Sequence, residues 1–327
     1  MRRSPLEESF NSSLFERAAT VVVAVSGGAD SMVLLELLAG LSKSLGLQLH
    51  VAHVNYGLRG VASKLDENLV RRRTRELGLY LHLHRTDEVR REQGNLEERA
   101  RQVRYQFFTE VAREVGANVI ALGHNLDDQV ETLLLRVLRG SGLKGLSGMQ
   151  ARQGLLVRPL LAIPRANIRV YAHERGIPHR EDASNRDLRF GRNRVRHILL
   201  PLLERYFNPG IRETLAQSAK VVAEDERFLD ELCAKLYGKL VKEQPSPQGT
   251  IVSIASTELT DLPPALQRRL VRTMSQTALP QLRPAHSIAL DQALKTLAAS
   301  PDGLLLQLGE QLTLTRRRGT VRISRNT

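Results

Sequence analysis

The chain has 327 residues, enough to bury a full core and to form two domains. Its formal net charge is +13 and forty of its 48 basic residues are Arg, which suits a polyanionic partner, although a compositional bias toward Arg gives the same balance. A single cysteine, Cys233, excludes an intramolecular disulfide and a Cys-x-x-Cys zinc or redox site. No run approaches 18 uncharged apolar residues, and Met1-Arg2-Arg3 leads into Ser4-Pro5-Leu6-Glu7-Glu8. Neither a transmembrane helix nor a secretory signal is expected, and the cytoplasm is the expected location.

In chain order, Val21–Val25 predicts a fully buried strand and Ser31–Leu41 the helix after it. Gln48–Asn55 predicts a second strand, Lys64–Leu77 a helix and Tyr80–His84 a third strand. Asn95–Val115 has the period of a long amphipathic helix, with Asn95 as N-cap and Glu98 three residues on. Val119–Leu122 predicts a fourth strand, and Leu126–Arg139 a helix closed by Gly140. Strands alternating with helices predict an α/β fold whose parallel sheet is covered on both faces. Such a sheet takes its ligands beyond the carboxyl ends of its strands, where Ser26, His53, Asn55 and His124 fall. From about Asn208 the pattern changes. Ile211–Val241 and Leu262–Ala278 predict helices joined by a loop at Gln244–Gly249, and Leu304–Ser324 predicts short antiparallel strands around Gly309 and Gly319. Two domains are expected: 1–207, and a smaller, mostly helical 208–327 with short terminal strands.

The stretch Val23-Ala-Val-Ser-Gly-Gly-Ala-Asp-Ser-Met32 carries the strongest chemical signal. After a strand and before a helix, Gly27 and Gly28 let backbone N–H groups turn toward an anion, and the helix N-terminus adds partial positive charge. It is not a Walker A loop, because no lysine follows the glycines. A bare carboxylate beside phosphates repels them, so Asp30 makes sense as a ligand of Mg²⁺ that bridges phosphate oxygens. A plain glycine-rich turn with Asp30 at a helix start is the alternative.

Ser26-Gly27-Gly28-Ala29-Asp30-Ser31 resembles the SGGxDS loop of the PP-loop ATP pyrophosphatases, which cleave ATP between the α- and β-phosphates. Four further stretches resemble the tRNA(Ile)-lysidine synthetase family: His53–Arg59 (HVNYGLR), Leu122–Thr132 (LGHNLDDQVET), Leu138–Met149 (LRGSGLKGLSGM) and Glu181–Pro201. The resemblance implies a PP-loop nucleotide-binding domain that binds ATP and Mg²⁺. It also implies adenylation of the C2 oxygen of the wobble cytidine in an isoleucine tRNA with a CAU anticodon, with L-lysine then displacing AMP. On that match Asp30, Arg104, His124 and Asp128 are the expected catalytic residues, with Asp30 and Asp128 on the metal. Ser26, Gly27, Gly28, Ala29, Asp30, Ser31 and His53 are expected on ATP, and Asp127 and Glu131 on the lysine. A C-terminal tRNA-binding domain is implied, a second such module is expected to be missing, and the oligomeric state stays open, a homodimer included. Tyr56 and Asn125 stand where the family usually has His, so no catalytic duty is carried over to them.

Each stretch also has a plain reading. Asp127, Asp128 and Glu131 open a helix, where acids are stabilised by the dipole. Arg101 and Arg104 share a helix face with Glu97 and Glu98 one turn earlier, so ion pairing on a solvated face competes with a ligand role. Gly140-Ser-Gly-Leu-Lys-Gly145 fits Gly-x-Gly-x-x-Gly but follows a helix, so it reads as a flexible loop near the active site. His50, His53, His82 and His84 lack the partner spacing of a metal site. Arg186, Arg189, Arg192, Arg194 and Arg196 lie within eleven residues that contain one acid, Asp187. Together with Arg59 they are expected to contact the tRNA backbone. Sulfur insertion into tRNA would need a persulfide or an iron–sulfur cluster, which Cys233 alone does not supply. A non-enzymatic RNA-binding protein is the alternative from another class.

Overall fold

The structure, a computed structural model, describes residues 4–87, 96–181, 187–247, 249–279, 292–297, 303–308 and 312–325. The expected N-cap Asn95 and the expected tRNA contact Arg186 lie outside the described residues. Two compact units are present, Met1–Val221 and Val222–Thr327.

The first unit is built on β1 (Thr20–Ala24), β2 (Gln48–Asn55), β3 (Tyr80–Arg85), β4 (Val119–Ala121), β5 (Arg152–Gln153) and β6 (Leu156–Val157), in the order β3-β2-β1-β4-β6-β5. All pairings are parallel except β5 with β6. That edge hairpin is too short to leave a pattern in the sequence. The helices beside the strands are α1 (Pro5–Ser9), α2 (Ala29–Leu45), α3 (Val61–Glu76), α4 (Leu96–Glu114), α5 (Leu126–Leu138), α6 (Leu143–Leu146) and α7 (Arg165–Glu174). The run ends in α8 (Gly191–Arg194), a π turn (Val195–Leu199) and α9 (Leu200–Tyr206).

Alternation along β1 sorts its side chains between two layers. Val21, Val23 and Val25 pack with Met32, Leu34, Leu35 and Leu38 of α2 and with Ile168 and Tyr171 of α7. Val22 and Ala24 face the other way, onto Phe108, Val111 and Ala112 of α4. Leu38 is fully buried, and Leu38→Ala would cost about 2–5 kcal/mol. Because β2 and β4 both flank β1, the connections leave β1 and β4 toward opposite faces. A crevice opens beyond their carboxyl ends, and there the candidate site forms.

The long helix α10 (Ile211–Leu240) starts just after the domain start expected at Asn208, and the division between units falls within it, at Val221–Val222. The second unit has one antiparallel sheet, β7-β8-β11-β10-β9, from β7 (Lys242–Ser246), β8 (Gly249–Ala255), β9 (Leu305–Gln307), β10 (Leu312–Arg317) and β11 (Thr320–Arg325). With it are α11 (Ser256–Thr260) and α12 (Pro264–Ala278). The loop expected at Gln244–Gly249 is instead the turn of the β7–β8 hairpin, with β7 reaching Ser246 and β8 starting at Gly249. Exposed Lys-Glu-Gln-Pro is an edge strand with neither alternation nor apolar content, so it reads as loop. Val252 and Ile254 pack with Leu270, Met274, Leu314 and Ile323. Glu226 and Arg269 pair inside this unit, both buried.

Candidate active site

The loop after β1 is laced by its two serines. Ser31 Oγ accepts from Ser26 N at 3.1 Å, donates to Gly28 O at 3.0 Å and lies 3.1 Å from Ser26 Oγ. Gly27 takes φ +93°, a conformation that L side chains rarely adopt, and Gly28 caps α2 in extended conformation without a side-chain bond. The first N–H groups of α2, from Ala29 on, have no intrahelical acceptor, which leaves an anion seat at a helix N-terminus. At the end of β4, a Cβ on Gly123 would lie 3.1 Å from Ser31 N and 3.2 Å from Asp30 C, so only glycine lets β4 approach the first turn of α2 this closely.

Asp30 sits in that first turn, with its Oδ1 buried and without a hydrogen-bond partner among the described residues. Burial, and then the charge of Asp128, push its carboxyl up to about 6. Two carboxylates this close to one another repel, and a divalent cation would relieve both.

Helix α5 opens with a capping box. Asn125 accepts from Asp128 N and Asp128 accepts from Asn125 N, both at 3.0 Å. The three acids of this helix start are buried and lie in a lattice of arginines. Arg165 donates from its backbone N to Asp127 (2.8 Å) and from its guanidinium to Asp128 (2.8 Å) and Glu131 (3.2 Å). Arg192 reaches Glu131 at 2.6 Å and Asp128 at 3.0 Å, and Arg196 reaches Glu131 at 2.6 Å. Arg212 joins Asp127 to Glu204. Burial alone would raise Glu131, which is fully enclosed; Arg196, Arg192 and Arg165 outweigh it and hold the carboxyl at about 2. Val195 and Leu200, packed on Leu126 and Val130, aim Arg192 and Arg196 inward.

The cleft between the ends of β1 and β4 has a volume of about 210 Å³. Ala24, Val54 and Phe108 give it apolar walls suited to a base, while Asp30, Arg104 and His124 supply the charge and hydrogen bonding. Burial first, then Arg158, Arg192, Arg104 and Arg101, drive the His124 ring down to about 3. It is therefore neutral at physiological pH, with Nδ1 buried and unpartnered. A larger depression of about 680 Å³ by Asn55, Lys64 and Arg85 is less promising. Its one buried acid, Glu67, is already bonded to Arg85, Asn55 and Arg71.

The structure thus brings Ser26, Gly28, Asp30, Ser31, Arg104 and His124 to one cleft, with Asp128 close enough to act on Asp30. His53 is buried beneath the loop, its Nδ1 on Val25 O at 2.7 Å and its Nε2 unpartnered. Tyr56 bonds Ala100 O and lines the cleft. Arg59 pairs with Asp66 at 2.8 Å. Arg189 is exposed and pairs with Asp187, and Arg194 donates to the carbonyls of Leu188 and Arg189. His50 bonds His82 across the strands, at 3.1 Å, and stacks on Tyr80. The loop expected to be flexible at Gly140–Gly145 contains α6 and is pinned to α5, since Arg136 donates to Gly145 O and Gly148 O and Gln129 holds Met149. Sequence reasoning missed Arg158, Arg165 and Arg212, single arginines outside any motif; Arg165 and Arg212 reach Asp127 from 38 and 85 residues away.

A parallel sheet with a glycine–serine turn feeding a helix at its switch point defines a PP-loop nucleotide-binding domain, and residues 3–203 match the PP-loop domain family. The chain is 40% identical over 323 residues to the tRNA(Ile)-lysidine synthase of Geobacter sulfurreducens, covering 95% of this chain and 66% of that protein. It is 38% identical over 228 residues to the tRNA(Ile)-lysidine synthase of Chlorobaculum tepidum, covering 69% of each. The chain belongs to the tRNA(Ile)-lysidine synthase family. It spans 66% and 64% of the length of the Geobacter and Solibacter relatives, just under two thirds. Among solved structures, the U34-tRNA thiolase of Methanococcus maripaludis shares the fold, with a TM-score of 0.55 and 18% identity over 67% of this chain and 76% of that one.

Proposed function

We propose that the protein ligates L-lysine to C2 of the wobble cytidine of an isoleucine tRNA with a CAU anticodon. ATP is consumed, an adenylated cytidine is the intermediate, and AMP and pyrophosphate are released. The observation that carries this reading is Asp30: a carboxylate with a free buried oxygen at the mouth of an anion-binding loop, opposed by Asp128.

The first turn of α2 grips the pyrophosphate end of ATP, and the walls at Ala24, Val54 and Phe108 take the adenine. The donors fit Mg²⁺: Asp30 offers an unpartnered oxygen and Asp128 a second charge. No cluster of three ligating side chains exists among the described residues, so phosphate oxygens and water would complete the shell. When bound, the cation neutralises charge on the departing pyrophosphate. His124, neutral, hydrogen-bonds the reacting groups without adding a charge. Arg104, on the cleft wall, balances the negative charge that builds on the α-phosphate as the cytidine oxygen attacks.

Lysine then attacks C2, and the C2 oxygen leaves with AMP. The attacking amine must be deprotonated, although its unperturbed pKa is about 10.4. Asp127 and Glu131 are proposed to receive the lysine ammonium, in competition with the arginines that hold them. Thiolation is disfavoured, since Cys233 is buried and burial pushes its thiol up, away from the thiolate that sulfur transfer needs. Arg189 and Arg194 contact the tRNA backbone, Val222–Thr327 serves as a tRNA-binding domain, and the reaction is cytoplasmic. No helix among the described residues is long and apolar enough to cross a membrane. Incubation of the protein with ATP, Mg²⁺, lysine and the tRNA transcript should add to the RNA the mass of lysine less water. An RNA of unchanged mass, with the protein folded, contradicts the proposal.

A further inference from the structure

Arg165, Arg192, Arg196 and Arg212 are matched by Asp127, Asp128, Glu131 and Glu204. A second group of arginines around His124 has no such match. Arg101 and Arg104 come from α4, Arg136 from α5, and Arg158 follows β6. Arg101, Arg104 and Arg158 each stand close enough to His124 to depress its basicity. Burial first, then repulsion by Arg101 and Arg158, lowers the pKa of Arg136. Burial lowers that of Arg158 too, against a hydrogen bond with Tyr105 and with a smaller push from Arg101. Among the described residues none of the four has a carboxylate partner. Arg158 is 3% exposed; its Nη1 donates to Gln150 O at 2.7 Å and its Nε has no acceptor. Arg136 donates only to backbone carbonyls. Arg101 lies over the Tyr105 ring at 4.6 Å, and Tyr105 lines the cleft.

Like charges gathered away from water are unfavourable unless an anion balances them. Among the described residues, carboxylates supply that balance for the first set of arginines and not for the second. We propose that Arg104 and His124, which line the cleft, together with Arg101, Arg136 and Arg158 behind its wall, form a second phosphate subsite, distinct from the seat at the glycine loop. Guanidinium forks suit phosphate oxygens, and the unpartnered His124 Nδ1 and Arg158 Nε offer further hydrogen bonds to the same group. This deepens the function proposed above and rests on it. Two sources carry the required chemistry: a phosphodiester flanking the target nucleotide, and the α-phosphate of ATP.

Among the described residues Arg101 and Arg104 hold no backbone carbonyl, so Arg101→Gln and Arg104→Gln should fold even if Arg158→Gln, which frees Gln150 O, does not. Each variant is titrated with an anticodon stem-loop RNA and, separately, with ATP and Mg²⁺. A loss of about tenfold or more in RNA affinity assigns the subsite to the RNA; the slope of log affinity against log salt should then drop by about 0.7–0.9 per lost contact. A similar loss confined to ATP assigns it to the α-phosphate. Affinities within about twofold of wild type for both ligands, in every folded variant, overturn the subsite. A wild-type protein that binds neither ligand would instead overturn the proposed function.

Discussion

The glycine loop and the acid–arginine lattice handle charge by opposite means. In the loop, Ser26–Ser31 offers backbone N–H groups and hydroxyls, and its one carboxylate keeps an oxygen without a partner. In the lattice, Glu131 is gripped by three guanidiniums and Asp127 and Asp128 by two or more donors each. The first region is incomplete as folded and is finished by a ligand. The second is complete as folded, so its first task is to fix the start of α5, and with it Asp128, against Asp30.

If that contrast is right, the two regions should fail differently when broken. Asp30→Ala should lower RNA adenylation by at least about 10²-fold, because charge on the leaving pyrophosphate loses its counter-ion site. The melting temperature should hold, since burial and the charge of Asp128 outweigh what Asn125, Arg165 and Arg196 give the Asp30 carboxylate in the folded state. Near-normal adenylation by the folded variant would refute the metal role. Glu131→Gln should do the reverse at first order: it removes one of the two buried charges that three guanidiniums share, leaves them only Asp128, and destabilises the unit by about 3–5 kcal/mol, read by denaturant unfolding. A change below about 1 kcal/mol would mean the lattice is not structural.

Gly123→Ala is intermediate. A Cβ at 3.1 Å from Ser31 N must push the first turn of α2, so turnover should fall about tenfold or more while stability drops by only about 1–3 kcal/mol. Unchanged turnover would show that the close approach of β4 has no bearing on the loop.

Acid should also separate the regions. Asp30 has a folded pKa of about 6 against an ordinary 3.8, so its contribution favours the folded state most fully below about 3.8 and is lost as pH rises through 6. Mg²⁺ binding requires the carboxylate, so its affinity should fall as pH drops through about 6, and Asp30→Asn should abolish that dependence. Glu131, held near 2, has the opposite sign: its stabilising effect is present above the ordinary carboxylate range and is lost as pH falls toward 2. The smallest effect is expected at the surface. Arg189→Ala should leave stability unchanged and lower the salt slope of tRNA binding by about 0.7–0.9. An unaltered slope would return Arg189 to its pairing with Asp187.

The loop was legible in the sequence because its chemistry is contiguous: strand, two glycines, Asp30 and a helix start occupy ten residues. The strand and helix order from β1 to α5 was legible for the same reason, through local periodicity. The lattice was not, since Arg165, Arg192, Arg196 and Arg212 lie 34 to 85 residues from the acids of α5 that they meet. Five clustered basic residues look alike whether they face solvent or, as Arg192 and Arg196 do, turn inward. In the second unit β7 was lost because an edge strand of polar residues carries no alternation.

The most direct test of the whole account omits lysine. With ATP labelled at the α-phosphate, Mg²⁺ and the tRNA transcript, label should pass to the RNA with release of an equal amount of pyrophosphate. Later addition of lysine should discharge the label as AMP. If the RNA is never labelled, and AMP forms only when lysine is present through a lysyl adenylate, the site does not work as described.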